Sequence, residues 1–270
     1  MAIRVDNDAD AIYLPNASCP DAAYWAACCW FYMSADDNGF GAIINMDNNL
    51  SDYSGLWLYS NGTTFEVTSD SNYNSPGSAT PGTWYHVYYI NDNGTGRGGF
   101  RAAASATYST QTCTGATTGT GTRKLAFGND LWGAPPDRID GRIAWAKVWS
   151  GNGTCPTEAE IQMEGYSARP LTKQSGLWGF YPMLDVTTAA VDFSGNGRTL
   201  TTAGTLTAED GPPIGWGAAA AIALAAGASR THWRPESDIS AGGWTASTGS
   251  DLFAMVDEET PNDGDYISYA

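Results

Sequence analysis

Basic residues are scarce in this chain: 13 Lys and Arg stand against 29 Asp and Glu, a formal net charge of −16 over 270 residues. Such a surface repels nucleic acid and anionic membranes alike, so neither is an expected partner. A neutral surface, a sugar or a basic protein patch remains open, and acidity also serves solubility. Long hydrophobic runs are missing too. The most apolar stretch, Ile214 to Ala228, is mostly Ala and Gly and too short to span a bilayer. The opening Met-Ala-Ile-Arg-Val-Asp-Asn-Asp has neither a basic segment nor an apolar one, so no signal peptide is expected. Histidine occurs twice, at His86 and His232, and no GxSxG nucleophile motif accompanies either. The five cysteines, Cys19, Cys28, Cys29, Cys113 and Cys155, form no CxxC or Cys/His zinc spacing.

What is abundant is strand and turn chemistry. The 32 glycines, with heavy use of Thr, Ser, Asn and aromatic residues, suit many strands joined by tight turns. Strands are predicted near 3–7, 10–14, 22–34, 39–46, 54–60, 63–68, 82–92, 97–106, 123–128, 138–150, 176–184 and 198–205. Tyr24 to Met33 is almost continuously apolar, as in a strand buried on both faces in the middle of a sheet. Adjacent Cys28 and Cys29 on such a strand point to opposite faces. Ser105 to Thr122, rich in Thr, Ser and Gly, reads as a long exposed loop. Of the four sequons, at Asn16, Asn61, Asn93 and Asn152, the three Asn-Gly-Thr copies read as hairpin turns. A short helix is predicted over Pro156 to Ile161, and Glu158, Glu160 and Glu164 are expected to face solvent from it. The cysteines read as buried thiols or, for Cys113 and Cys155 in turn-like contexts, as partners in a disulfide formed outside the cell.

Four stretches carry a resemblance. Gly176 to Leu200, GLWGFYPMLDVTTAAVDFSGNGRTL, joins an aromatic strand to the polar turn Asp192-Phe193-Ser194-Gly195-Asn196-Gly197. Thr83 to Ile90, Gly141 to Trp149 and Pro156 to Ile161 precede it in the chain. In this order they resemble the laminin-G-like, concanavalin A-like family. The resemblance implies an all-β, concanavalin A-like jelly-roll sandwich over residues 1–212, followed by a C-terminal extension. Residues 213–229 form an Ala/Gly-rich linker and 230–270 a C-terminal arm. From Arg230 through Trp244 to Ile267 the arm resembles a segment of bacteriophage structural proteins. Trp244, Leu252, Phe253, Met255, Val256, Tyr266 and Ile267 make it too apolar for a plain solvated tail, and it is expected to dock on a neighbour.

No catalytic residues are predicted. Sandwich glycosidases need two carboxylates flanking one bond, and the glucanase strand motif ExDxxE is absent. Glu66 sits alone in an aromatic strand, and His86 reads as a packed structural residue. Trp57, Tyr59, Tyr73 and Trp132 have polar, turn-like neighbours and are the candidates for stacking on sugar rings, against the alternative of core packing. Asp6, Asp8, Asp192 and Asn196 could supply oxygens to a structural calcium, as the family resemblance also implies, or simply cap their own turns. The expected protein is a virion decoration or structural protein on the particle's exterior. It would be anchored to other virion proteins by its arm, oligomeric (a trimer by analogy with displayed phage proteins), and would display a glycan-binding sandwich. The alternative is a tail-fibre or receptor-binding lectin, with a carbohydrate-active enzyme a distant third.

Overall fold

The computed structural model describes residues 1–6, 10–14, 19–34, 41–47, 53–58, 63–69, 72–115, 124–129 and 139–213. The expected linker beyond 213 and the arm, with Trp244, Leu252, Phe253, Met255, Tyr266 and Ile267, lie outside the described residues, as do Asp8, Tyr59 and Trp132.

Two antiparallel sheets face each other. Sheet A contains β1 (Ala2–Val5), β3 (Tyr24–Met33), β8 (Trp84–Asp92), β9 (Thr95–Ala102), β10 (Ser109–Thr114), β12 (Gly141–Ser150), β13 (Leu177–Tyr181) and β15 (Thr207–Glu209). Its order is β10-β9-β8-β3-β12-β1-β15, with β13 also paired to β12. Sheet B contains β2 (Ala11–Leu14), β4 (Gly41–Asp47), β5 (Tyr53–Leu58), β6 (Thr64–Ser69), β7 (Asn72–Ser78), β11 (Lys124–Phe127) and β14 (Thr201–Ala203), in the order β14-β2-β11-β4-β5-β6-β7. A helix, α1 (Glu158–Met163), follows β12. Its start is legible as Thr157-x-x-Glu160: the Thr157 hydroxyl accepts from Glu160 N, and the Glu160 carboxylate accepts from Thr157 N at 2.8 Å. No helix among the described residues is long and apolar enough to cross a membrane.

The period-2 rule of a strand explains the layers. Along β3, Trp25, Ala27, Cys29, Phe31 and Met33 enter the core between the sheets, while Ala26, Cys28 and Trp30 point outward. The outward set is buried as well, because α1 and the segment after it cover that face. The core is anchored by aromatic contact across the layers: Phe65 of sheet B stacks on Phe100 at 4.1 Å and meets Tyr85 edge-on at 5.3 Å. The Asn93-Gly94 turn joins β8 to β9 with positive φ at both residues (49° and 85°), the type I′ geometry that Asn-Gly favours.

Three strands depart from the sequence reading. Edge strands β7 and β15 are additional, and β10 lies inside the stretch taken for a loop. Their sequences, NYNSPGS, TAE and STQTCT, carry little alternation of apolar residues. Edge strands that bury almost nothing leave no such signal. Cys113 is in the core and Cys155 packs on the outer face of sheet A, so the sheet lies between the two thiols and they are not disulfide partners.

Within β12 the alternation changes hand. Ile143 enters the core and Ala144 points outward, but Ala146 and Val148 are again inward while Lys147 and Trp149 face out. The switch is a β-bulge: the register with β3 slips between Ala144 and Lys147, and Trp145 takes a left-handed φ of 53°. That conformation costs a non-glycine residue about 1–2 kcal/mol. It is held because Trp145 is buried and its N–H donates to the Pro182 carbonyl at 3.3 Å. If Trp145 were kept but the strand ran without the bulge, Lys147 would point into the core.

Candidate functional site

Because Leu56, Leu58, Phe65 and Val67 face the core, Trp57, Glu66 and Thr68 lie on the outer face of sheet B. Strand register lines up a row across that face: Tyr13 opposite Ala126, Ala126 opposite Asn45, Asn45 opposite Gly55, Gly55 opposite Thr68 and Thr68 opposite Tyr73. Small residues occupy the middle, where Ala126, Asn45, Gly55 and Thr68 are all buried, and a tyrosine stands towards each end. Gly55 is required there, since an added Cβ would lie against the Ile44 carbonyl oxygen. A second row places Ala42 opposite Trp57 and Trp57 opposite Glu66.

Two of the four predicted stacking residues, Trp57 and Tyr73, therefore share one face, on strands separated only by β6. Their availability differs. Tyr73 is 63% exposed, whereas Trp57 is 1% exposed and offers no open ring. The expectation of a surface Trp57 is corrected on this point: its polar, turn-like neighbours in sequence do not reflect its surroundings in space. Glu66 is half-buried, and burial raises its pKa above the ordinary carboxylate value.

Other titratable groups gather on the outer face of sheet A, where they are structural. Lys147 and Glu164 are both fully buried, correcting the expectation that Glu164 faces solvent. Lys147 Nζ donates to Glu164 Oε2 at 2.8 Å and to the carbonyls of Glu164 and Ser167 at 3.1 and 2.7 Å. The same carboxylate accepts from Leu171 N, Thr172 N and Thr172 Oγ1. Glu158 accepts from the Tyr88 hydroxyl, so it too is turned inward.

Beside this pair, the Tyr108 hydroxyl donates to the Gln162 carbonyl at 2.9 Å, which commits its only proton. His86 Nδ1, 2.7 Å from that hydroxyl, is therefore the protonated nitrogen and Nε2 carries the lone pair. Burial, then Lys147 and Arg101, hold the His86 pKa well below its ordinary value. Arg101 is itself enclosed by Trp30, Tyr108 and Tyr166, at 5.6, 5.4 and 4.4 Å from the ring centroids. This assembly clamps α1 and the segment after it to the sheet.

The candidate calcium ligands build turns. Asp192 Oδ1 accepts from Phe180 N and Ser194 N, and Oδ2 from Arg198 N at 2.9 Å. Burial raises the Asp192 pKa, but these donors outweigh it and hold the carboxyl below the ordinary value. Asn196 Nδ2 donates to the Leu177 carbonyl at 2.9 Å, and Asp6 pairs with Arg4 at 2.7 Å. Among the described residues, no group of three or more His, Cys, Asp or Glu is placed to hold a metal ion.

Two facing antiparallel sheets, of eight and seven strands, form a jelly-roll sandwich. The family model described as the concanavalin A-like lectin/glucanases superfamily matches residues 6–162, more than half of the chain, and the protein belongs to that family. No curated protein sequence matches. Among solved structures, a putative carbohydrate binding protein from Bacteroides ovatus ATCC 8483 is similar at 16% identity and a TM-score of 0.54, covering 80% of this chain and 61% of its own. The full-length tailspike protein 2 of an Escherichia coli bacteriophage matches at 13% identity and a TM-score of 0.49 over 63% of this chain, which spans only 25% of the tailspike. A heptameric SAP-like pentraxin from Limulus polyphemus matches at 15% identity and a TM-score of 0.48, covering 76% of this chain and 92% of its own. At these identities the likeness is one of fold.

Proposed function

We propose that this protein is a glycan-binding module of a bacteriophage particle, with the sandwich displayed outward and the 230–270 arm as its attachment to other virion proteins. One observation carries the glycan reading: at the edge of sheet B, Tyr73 holds a 63% exposed ring among the exposed Asn72, Asn74 and Ser75. Aromatic rings stack on the C–H faces of sugars, and neighbouring exposed amides and hydroxyls hydrogen-bond their hydroxyl groups. Binding without cleavage is the activity we favour, because the sequence does not carry the glucanase strand motif ExDxxE that would pair two carboxylates on one strand. The particle assignment is supported by the arm's resemblance to phage structural proteins. Several copies on one particle would multiply weak individual contacts.

Two measurements test the reading. Virions lacking this protein should capture the full-length chain but not a 1–229 truncation. The purified full-length chain should bind glycans or host cells without consuming them. Equal capture of both forms overturns the anchoring role, and turnover of a bound glycan overturns the non-enzymatic one. A tail-fibre lectin remains the second reading, favoured if host-cell binding persists without the arm.

A further inference from the structure

The outer-face row ends at an edge where the two sheets meet. Strands β7 and β10 lie side by side there, and Asn74 Nδ2 donates to the Thr112 carbonyl at 2.6 Å, fixing one edge against the other. Both strands are open to solvent: Asn72, Tyr73, Asn74 and Ser75 on one, and Ser109 to Thr112 on the other, are all exposed. Neither strand contains a charged residue, in a chain whose net charge is −16. The nearest charge beside β10 is Arg97, opposite Thr112 on β9, which faces Asp92 at 3.6 Å. Among the described residues of sheet B it is, by strand order, Glu66, one strand inward. An exposed phenol surrounded by amides and hydroxyls is the surface that an uncharged polyol recognises, by ring stacking and by hydrogen bonds in both directions.

We infer that the seam between β7 and β10 is a binding surface for a neutral saccharide chain, with Tyr73 as the stacking ring at its corner. The inference rests on the glycan-binding reading above and narrows it in place and in chemistry. An acidic saccharide finds no unpaired cation on these strands. A further β-strand is an unsuited occupant: Pro76 offers no N–H, and the Thr112 carbonyl is already taken by Asn74. Ring stacking and hydrogen bonding by Tyr73 and its neighbours need no divalent cation, and among the described residues no carboxylate cluster lines the seam.

The test uses the full-length chain on an array of neutral and acidic glycans, with and without EDTA, alongside Tyr73→Ala, Gln111→Ala and Tyr13→Ala. Tyr73 and Gln111 are exposed, and circular dichroism with thermal melting checks that each variant keeps the wild-type fold. The expected result is selective binding of neutral glycans that survives EDTA, at least tenfold weaker in Tyr73→Ala and measurably weaker in Gln111→Ala. Binding of acidic glycans only, dependence on calcium, or full affinity in Tyr73→Ala with loss in Tyr13→Ala overturns the seam while leaving the glycan reading intact. Absence of any wild-type glycan binding overturns both. Self-association that Tyr73→Ala abolishes would show instead that the seam is an interface between copies of this chain.

Discussion

Replacing one member of the Lys147–Glu164 pair tests whether the outer face of sheet A is held by that pair. Glu164→Leu leaves the Lys147 ammonium fully buried with two carbonyls as its remaining acceptors, and also strands the N–H groups of Leu171 and Thr172. Removing one partner of a buried pair costs about 3–5 kcal/mol. In a sandwich of this size, each kcal/mol lowers the melting temperature by about 2–4 °C, so a fall of roughly 6–20 °C is expected. Lys147→Met should cost less, because the carboxylate it leaves behind still accepts from Leu171 N, Thr172 N and Thr172 Oγ1. The double variant should be more stable than Glu164→Leu alone, since no unpaired ammonium remains. Urea unfolding followed by tryptophan fluorescence measures all four proteins, with constant slopes confirming that only stability has changed. Additivity of the two single changes to within about 0.5 kcal/mol would refute the coupling. So would a larger loss in Lys147→Met than in Glu164→Leu.

Two further outcomes follow from local geometry. His86 has a folded-state pKa below its unfolded value, so the unfolded chain binds the extra proton as pH falls. Its contribution is fully present above about pH 6.5 and declines below that at about 1.4 kcal/mol per pH unit. Unfolding curves between pH 7 and 5 should therefore fall more steeply for wild type than for His86→Gln, and equal slopes would contradict a buried neutral imidazole. Lys173 adopts a left-handed φ of 46° ahead of a short 3-10 turn, while its ammonium lies 3.9 Å from the part-exposed Glu160. Lys173→Gly should raise stability by about 1 kcal/mol in chemical denaturation, because relief of backbone strain outweighs loss of a weak surface pair.

The parts of the fold legible in the sequence are those whose side chains repeat with the backbone. Tyr24–Met33 announces a central strand because both faces are apolar, and Thr157-x-x-Glu160 announces a helix start because the two side chains cap each other. Strands β7 and β10 were illegible because edge strands with exposed side chains resemble loops. Glu164 was misread for a different reason: its partner Lys147 lies on a strand whose outward orientation depends on the bulge at Trp145. For the candidate site, alternation puts Trp57 on the outer face of β5, but neither its burial nor its lateral match to Glu66 can be read before strand register is known. Tyr73 was legible as an exposed ring from its Asn and Ser neighbours, although not as part of a strand.

The bulge at Trp145 also makes β12 a strand with two phases. Before it, odd-numbered positions face the interior; after it, even-numbered ones do. The sides taken by the later residues are therefore set by the bulge and not by residue type. Flattening the bulge with Trp145 retained would turn Ala146, Lys147, Val148 and Trp149 to the opposite sides of the sheet together, whereas deleting Trp145 would restore plain alternation with Lys147 still outward. Transplanting Trp145 together with the second half of β12 into a relative would carry one condition: the recipient must bulge at that point, or the lysine arrives in the core.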